Sequence, residues 1–315
     1  MGSFSTLTTF MELQSYLIEN SLSPELCKLA STILEKVVLE DLHSEHGIVA
    51  SLDKPTGCKQ HMPNLVRPAV LRQYFGLNLH NGTRCSYGDG TGSSTVGRPI
   101  TRDMTEEMVI LANEIQKKLK HCSYFTESES FENVSFNHCT VLLYYHKNKE
   151  SPNNMLGFHT DIVYSRTTGE YIPSKNSQTE GTPTCIISIG GSRNLCFQKQ
   201  TEIYDSEKKT LKWCGQKKTL IKLEHNSLFV LHPYDEKPIN VKGEKRRWRH
   251  GIPQYNNKDK LSMALVFRSV KNRTSTSNGS MDCQLTPTQE KESQLSHQRL
   301  QALFRKFIAM RIKCH

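Results

Sequence analysis

No stretch of the chain approaches the roughly 18 consecutive apolar residues that a membrane-spanning helix needs. With a mean hydropathy of −0.55, it reads as a soluble globular protein. The amino terminus lacks the basic region and following apolar stretch of a secretory signal. The ten cysteines are scattered and include no CxxC pair, so the thiols are expected to be reduced and mostly structural, in nucleus or cytoplasm. The glycine-rich stretch Gly88-Asp89-Gly90-Thr91-Gly92 is followed by no GK[ST], which removes a phosphate-loop reading and leaves a turn. No internal repeat is present. A myristoylation-like start at Gly2 and glycosylation sequons at Asn81 and Asn133 are short enough to arise by chance.

What is present is length, basic charge and a change of pattern along the chain. The 315 residues suffice for one substantial core and a smaller companion. Lysine and arginine total 41 against 31 acidic residues, a formal charge of +10. That balance favours a polyanionic partner such as nucleic acid, DNA or RNA. From Ser23 onward, Leu26, Leu29, Ile33, Leu34, Val37 and Val38 recur at helical spacing, with Pro24 in the first turn. A second helix is expected over 103–120, with Asp103 and Glu106 as a capping box and Met108, Leu111, Ile115 and Leu119 as its apolar stripe.

From about 134 to 270, short β-branched and aromatic runs alternate with turn signals, at 136–145, 183–189, 194–199, 219–224, 227–232 and 261–270. This is the spacing of an antiparallel sandwich or barrel, with 166–182 as a surface loop. The expected organisation is therefore an α+β chain: an N-terminal region over 1–133, a β core over 134–270, a flexible linker over 271–297 and a C-terminal amphipathic helix over 298–315.

The chemistry is concentrated in Gly157-Phe158-His159-Thr160-Asp161. In a strand or its extension, positions i and i+2 point to one side, so His159 and Asp161 offer an imidazole and a carboxylate to one cation. A histidine from a distant strand completes a facial triad, the geometry of non-haem iron(II) oxygenases; two histidines and a carboxylate also suit hydrolytic zinc. The distal ligand is expected to be His250, in Trp248-Arg249-His250-Gly251-Ile252-Pro253. One further strand follows it and carries Arg268, placed to pair with a carboxylate. His232 is the rival and reads as structural or surface.

Taken in order, these segments resemble the AlkB-type iron(II)/2-oxoglutarate-dependent dioxygenases over most of 136–270. Phe136 to Tyr145 resembles the strand leading to the metal loop, and His159-Thr160-Asp161 the proximal HxD motif. Ser188 to Phe197 is similar to the family's serine–glycine–arginine–phenylalanine strand pair, and Asn226 to Leu231 to its "GSLL" strand. Arg249 to Pro253 and Leu265 to Arg268 resemble the closing motifs, and Arg84 to Asp89 the nucleotide-lid segment.

The resemblance implies a double-stranded β-helix (jelly-roll) core with N-terminal helical and lid extensions, and Fe(II) held by His159, Asp161 and His250. It implies 2-oxoglutarate as co-substrate, with its carboxylates held by Tyr145 and Arg268. The substrate would be a modified base, flipped out of its stack, whose N-methyl group is hydroxylated and leaves as formaldehyde. Arg84, Tyr87, Arg246 and Arg247 are the expected substrate contacts, the last two as a phosphate-contacting rim. Tyr87 stacks on a base or closes a turn, and the basic run over 242–249 is a rim or a solvated loop.

Two departures stand out. Where the family carries a first arginine on the last strand this chain has Ser262, and the asparagine assisting it falls on Leu143; Lys260 or a basic residue from another strand would have to substitute. Beyond Asp161 come Ile162-Val163-Tyr164 rather than acidic residues, which leaves no acceptor for a base amino group. Iron chemistry on a protein side chain, or a catalytically weak nucleic-acid-binding member of the fold, remain alternatives.

Overall fold

The computed structural model describes residues 7–9, 13–35, 71–79, 83–85, 101–121, 134–144, 156–162, 164–165, 168, 170, 178–253, 261–271, 273–275 and 302. They form β1 (Leu7–Thr9), β2 (Tyr16–Ile18), α1 (Pro24–Glu35), β3 (Leu71–Gly76), β4 (Thr83–Cys85), β5 (Thr101–Asp103) and α2 (Glu106–His121). Then come β6 (His138–Tyr144), β7 (Leu156–His159), β8 (Thr184–Gly190), β9 (Arg193–Asp205), β10 (Thr210–Leu223) and β11 (Ser227–Leu231). A 3-10 turn at Pro233–Glu236 precedes β12 (Ile239–Val241), β13 (Glu244–Ile252), β14 (Ser262–Arg268) and β15 (Arg273–Ser275).

One sheet runs β1-β2-β11-β8-β14-β6-β3-β5, and the other β10-β9-β13-β12, with β7 pairing further along β13 on the side that faces away from β9. Strands β6, β8, β11 and β14 lie in the first and β7, β9, β10 and β13 in the second, so the chain passes repeatedly between sheets. Their pairings are all antiparallel. This is jelly-roll connectivity. The N-terminal β2 and β3 extend the first sheet by pairing with β11 and β6.

The central strands β6, β8 and β14 are buried along both faces, which is why they read as continuous apolar runs. Alternation then sorts them into two cores. Val141, Leu143, Ile187 and Phe267 pack under the helices with Met108, Leu111 and Ile115 of α2. Leu142, Ile186 and Val266 face the second sheet, against Leu195, Phe197 and Leu223. The site lies in this inter-sheet space.

Several expectations meet a different outcome. Helix α2 has no Asp103–Glu106 capping box: β5 runs through Asp103, and Thr105 caps instead, its hydroxyl accepting from the Met108 amide at 3.4 Å. Helix α1 does start on Pro24, with the Ser23 hydroxyl accepting from the Leu26 amide. Strands β9 and β10 extend far beyond 194–199 and 219–224 into a long hairpin, broken by a register shift between Gly215 and Lys218. Its outer half mixes charged and polar residues with exposed Ile203, Tyr204 and Leu211, so no buried face sets a strand period there. Within the expected linker, β15 pairs with β4. The C-terminal helix, Tyr87, Tyr145, Lys260 and most of the 166–182 loop lie outside the described residues.

Candidate metal centre

Strand register brings the two histidines together. On β13, His250 pairs directly with His159 on β7 and with Phe197 on β9, and the imidazole centroids are 4.4 Å apart. The next pair along is Ile252 with Leu156, across a bulge. Gly251 is needed there: a Cβ on it would sit 2.9 Å from the Leu156 carbonyl oxygen and 3.1 Å from the Phe158 nitrogen. Asp161 follows two residues after His159, and its carboxylate comes within 3.5 Å of His159 Nε2. Ligand atoms of His159, Asp161 and His250 all lie within 4.8 Å of one another, the one such cluster among the described residues.

Each ligand is held by a partner that fixes its chemistry. His159 Nδ1 donates to the Gly157 carbonyl at 2.8 Å, which leaves Nε2 as the lone-pair nitrogen. His250 Nδ1 lies 2.8 Å from Glu236 Oε1. The other oxygen of Glu236 accepts from the backbone amides of Asp161 and Ile162 at 2.7 and 3.0 Å. One carboxylate, 1% exposed, therefore orients one ligand and the loop that bears another. Asp161 Oδ2 accepts from Arg268 at 2.8 Å and from the Thr184 hydroxyl at 3.1 Å.

Burial raises the Asp161 carboxyl, but Arg268 and then the two histidines outweigh it and hold it well below the usual carboxylate range. For His250, burial works against the cation, yet Glu236 and Asp161 raise its pKa above the ordinary value. The position thus stabilises positive charge, which a divalent ion supplies in place of the proton. Two oriented imidazoles, an ionised carboxylate and a charge-stabilising surround fit a first-row divalent metal.

The triad lines a cavity between the sheets with about 490 Å³ of atom-free space, part of it open to solvent. Arg268, Ser262, Tyr144 and Arg193 also line it. Leu143 does not: it packs on the opposite face of β6, under the helices, so the aligned position is one residue out of phase and Leu142 and Tyr144 look inward. Arg268 is joined to Asp161, with Nη1 on the Thr140 hydroxyl.

His232 stands apart from the cluster. Its Nδ1 accepts from the Tyr234 amide and caps the 3-10 turn, and burial brings its pKa down to about 4.

Of the expected substrate contacts, Arg84 bridges Asp103 and the Thr101 carbonyl, and Arg246 pairs with Glu244. Arg247 stacks 4.4 Å over Trp213 and donates to Gln200, while its neighbour Arg249 stacks over Phe158 and donates to Gln198. By alternation, Arg247 and Arg249 lie on the face of β13 opposite His250. Sequence reasoning missed Glu236, Thr184 and Arg193. Only Arg193 left a trace, as the arginine of the Ser188–Phe197 segment, to which no site role was given.

Fold and site together define a jelly-roll protein with a two-histidine, one-carboxylate cluster inside it that could hold a metal ion. No protein-family model and no curated protein matches the chain. Among solved structures it is similar to the non-heme alpha ketoglutarate dependent epimerase SnoN from nogalamycin biosynthesis. The identity is 12% and the TM-score 0.35, with 87% of this chain and 85% of that one covered. The same epimerase in complex with Fe3+, alpha ketoglutarate and nogalamycin RO gives 13% and 0.38, over 87% and 86%. Likeness at this level assigns neither substrate nor activity.

Proposed function

We propose that the chain is a non-haem iron(II), 2-oxoglutarate-dependent oxygenase of AlkB type, hydroxylating or demethylating a modified base in nucleic acid in the nucleus or cytoplasm. The observation that carries this reading is that His159, Asp161 and His250 come together and all line one inter-sheet cavity. Iron and 2-oxoglutarate, when bound, would supply the oxidising chemistry with dioxygen as oxidant: one oxygen atom enters the succinate formed as 2-oxoglutarate loses carbon dioxide, and the other enters the hydroxylated substrate.

The chain's own residues do the rest. His159 and His250 present Nε2 to the metal because Gly157 and Glu236 hold their other nitrogens. Arg268 keeps Asp161 ionised. The apolar walls formed by Leu142, Ile186, Leu195 and Val266 keep water from the reacting centre. The nucleic-acid partner is supported by the charge of +10 and by Arg247, Arg249 and Lys218 gathered over Trp213 and Phe158 on the outside of the second sheet.

The test is anaerobic titration of the apo-protein with iron(II) and 2-oxoglutarate. A weak charge-transfer band at about 500 nm is expected of such a site, and it is expected to vanish in His159→Ala. Formaldehyde release from methylated oligonucleotides then tests the substrate. Iron binding without the band, and without 2-oxoglutarate binding by calorimetry, would sink the oxygenase reading and leave a nucleic-acid-binding member of the fold.

A further inference from the structure

The cavity contains a second cation whose position the metal centre does not explain. Arg193 opens β9 directly after the Gly190-Gly191-Ser192 turn, is only 4% exposed, and lines the same cavity as the triad. Its guanidinium lies 4.4 Å over the ring of Tyr144. Tyr144 pairs with Ser262, and Ser262 pairs on its other side with Gly190. Arg193 therefore enters at the Ser262 end of β14, while Arg268, joined to Asp161, marks the other end.

Ser262, Ala264, Val266 and Arg268 all face the cavity, as the alternation of β14 requires. The space runs from the metal ligands at one end, over Ala264 and Val266, to a buried guanidinium at the other. Among the described residues its acidic lining is Asp161, against Arg193 and Arg268, and a bound divalent metal would add further positive charge. Such a cavity is complementary to a small dianion: a metal-chelating head, a short aliphatic spacer and a carboxylate tail.

Resting on the oxygenase reading, we infer that Arg193 binds the distal carboxylate of 2-oxoglutarate, supplying from β9 the cation that Ser262 does not supply from β14. A guanidinium suits this role because it meets a carboxylate through two parallel N–H donors. The aromatic face of Tyr144 fixes its plane, and the small Ser262 and Ala264 side chains leave the room the spacer needs.

The experiment separates the two carboxylate ends. Iron(II)-loaded protein is titrated without oxygen, by calorimetry and by the charge-transfer band, with 2-oxoglutarate and with 2-oxopentanoate. The second compound keeps the chelating 2-oxo acid and lacks the distal carboxylate. Wild type is expected to prefer 2-oxoglutarate by roughly 10- to 100-fold, the strength of a buried charge-assisted contact. Arg193→Gln is expected to abolish that preference by weakening 2-oxoglutarate alone, with affinities for iron(II) and 2-oxopentanoate unchanged. Arg193→Lys is expected to restore part of it, and reads the same ratio should the glutamine variant fold poorly.

If the Arg193 variants keep the full preference, the assignment to Arg193 is wrong and the oxygenase reading stands. If wild type binds 2-oxoglutarate and 2-oxopentanoate equally, no residue of this cavity holds a distal carboxylate. If it binds neither, the inference and the oxygenase reading fall together.

Discussion

At the scale of single residues, Glu236 shows how much of a candidate metal site lies behind its proposed ligands. Its two oxygens divide their partners: one meets the His250 imidazole, the other the backbone amides of Asp161 and Ile162. Removing the carboxylate leaves His250 free to turn and two buried amides without their acceptor, each costing about 1–3 kcal/mol. Glu236→Ala is therefore expected to weaken iron(II) binding roughly 10- to 100-fold and to lower the melting temperature, with Glu236→Gln intermediate. Anaerobic calorimetry with iron(II) measures this, and an unchanged affinity would mean that Glu236 merely packs. None of this was legible in the sequence. His159 and Asp161 announced themselves by i, i+2 spacing, and His250 by its place before the closing strand. Glu236 reaches the site only through the tertiary position of a turn, and turns carry no periodicity. Arg193 was visible within the Ser188–Phe197 motif, but its entry into the cavity depends on how β9 folds across the sheet opposite Ser262. Leu143 misled because strand phase reverses with a slip of one residue.

At the scale of elements, the 3-10 turn Pro233–Glu236 joins the N-terminal segment to the metal loop. His232 caps it, Asp235 accepts from the Gln14 and Ser15 amides and from the Ser15 hydroxyl, and Glu236 reaches the site. The two titratable groups beside Glu236 act in opposite senses. Burial takes His232 from 6.5 to about 4. Folding therefore expels its proton, and its contribution is complete above pH 6.5 and lost as pH falls toward 4. For Asp235, burial outweighs the hydrogen bonds from Ser15 and Gln14 and raises the carboxyl from 3.8 to about 6; its contribution grows as pH falls from 6 toward 4. His232→Asn keeps an acceptor at the cap and removes the imidazole titration. Relative to wild type, it is expected to gain about 2 kcal/mol between pH 7 and pH 5, read from urea midpoints at both values. Equal shifts in the two proteins would place that proton elsewhere. The elements themselves were legible in proportion to their burial. Strands β6, β8, β11 and β14 were visible as apolar runs, whereas the outer half of the β9–β10 hairpin mixes polar and charged residues with solvent-exposed Ile203, Tyr204 and Leu211 and gave no one-sided apolar period.

At the scale of the whole molecule, the second sheet has two unlike faces. Inward it presents Phe197, Leu195 and Leu223 to the core and His250 to the cavity. Outward it presents Arg247 and Arg249, each stacked on an aromatic ring and hydrogen-bonded to a glutamine on β9. Those glutamines, Gln198 and Gln200, are buried beneath the guanidiniums, so the cations are held at the surface by a polar layer rather than left to swing in solvent. A preformed row of this kind loses little side-chain entropy on meeting phosphates and combines charge with aromatic surface, as single-stranded nucleic-acid binders do. If nucleic acid lies along it, binding must release counterions, and log K must fall linearly with log salt by roughly 0.7 per phosphate contact for a single strand. Arg247→Gln with Arg249→Gln is then expected to weaken oligonucleotide binding and to reduce that slope by about 1.4. The pair points away from the metal centre, so iron(II) affinity is expected to hold. Fluorescence anisotropy across a salt series, with melting curves on both proteins, measures the slope. A slope that stays at the wild-type value would rule out this face as the proposed polyanion surface while leaving the proposed metal chemistry at His159, Asp161 and His250 untouched.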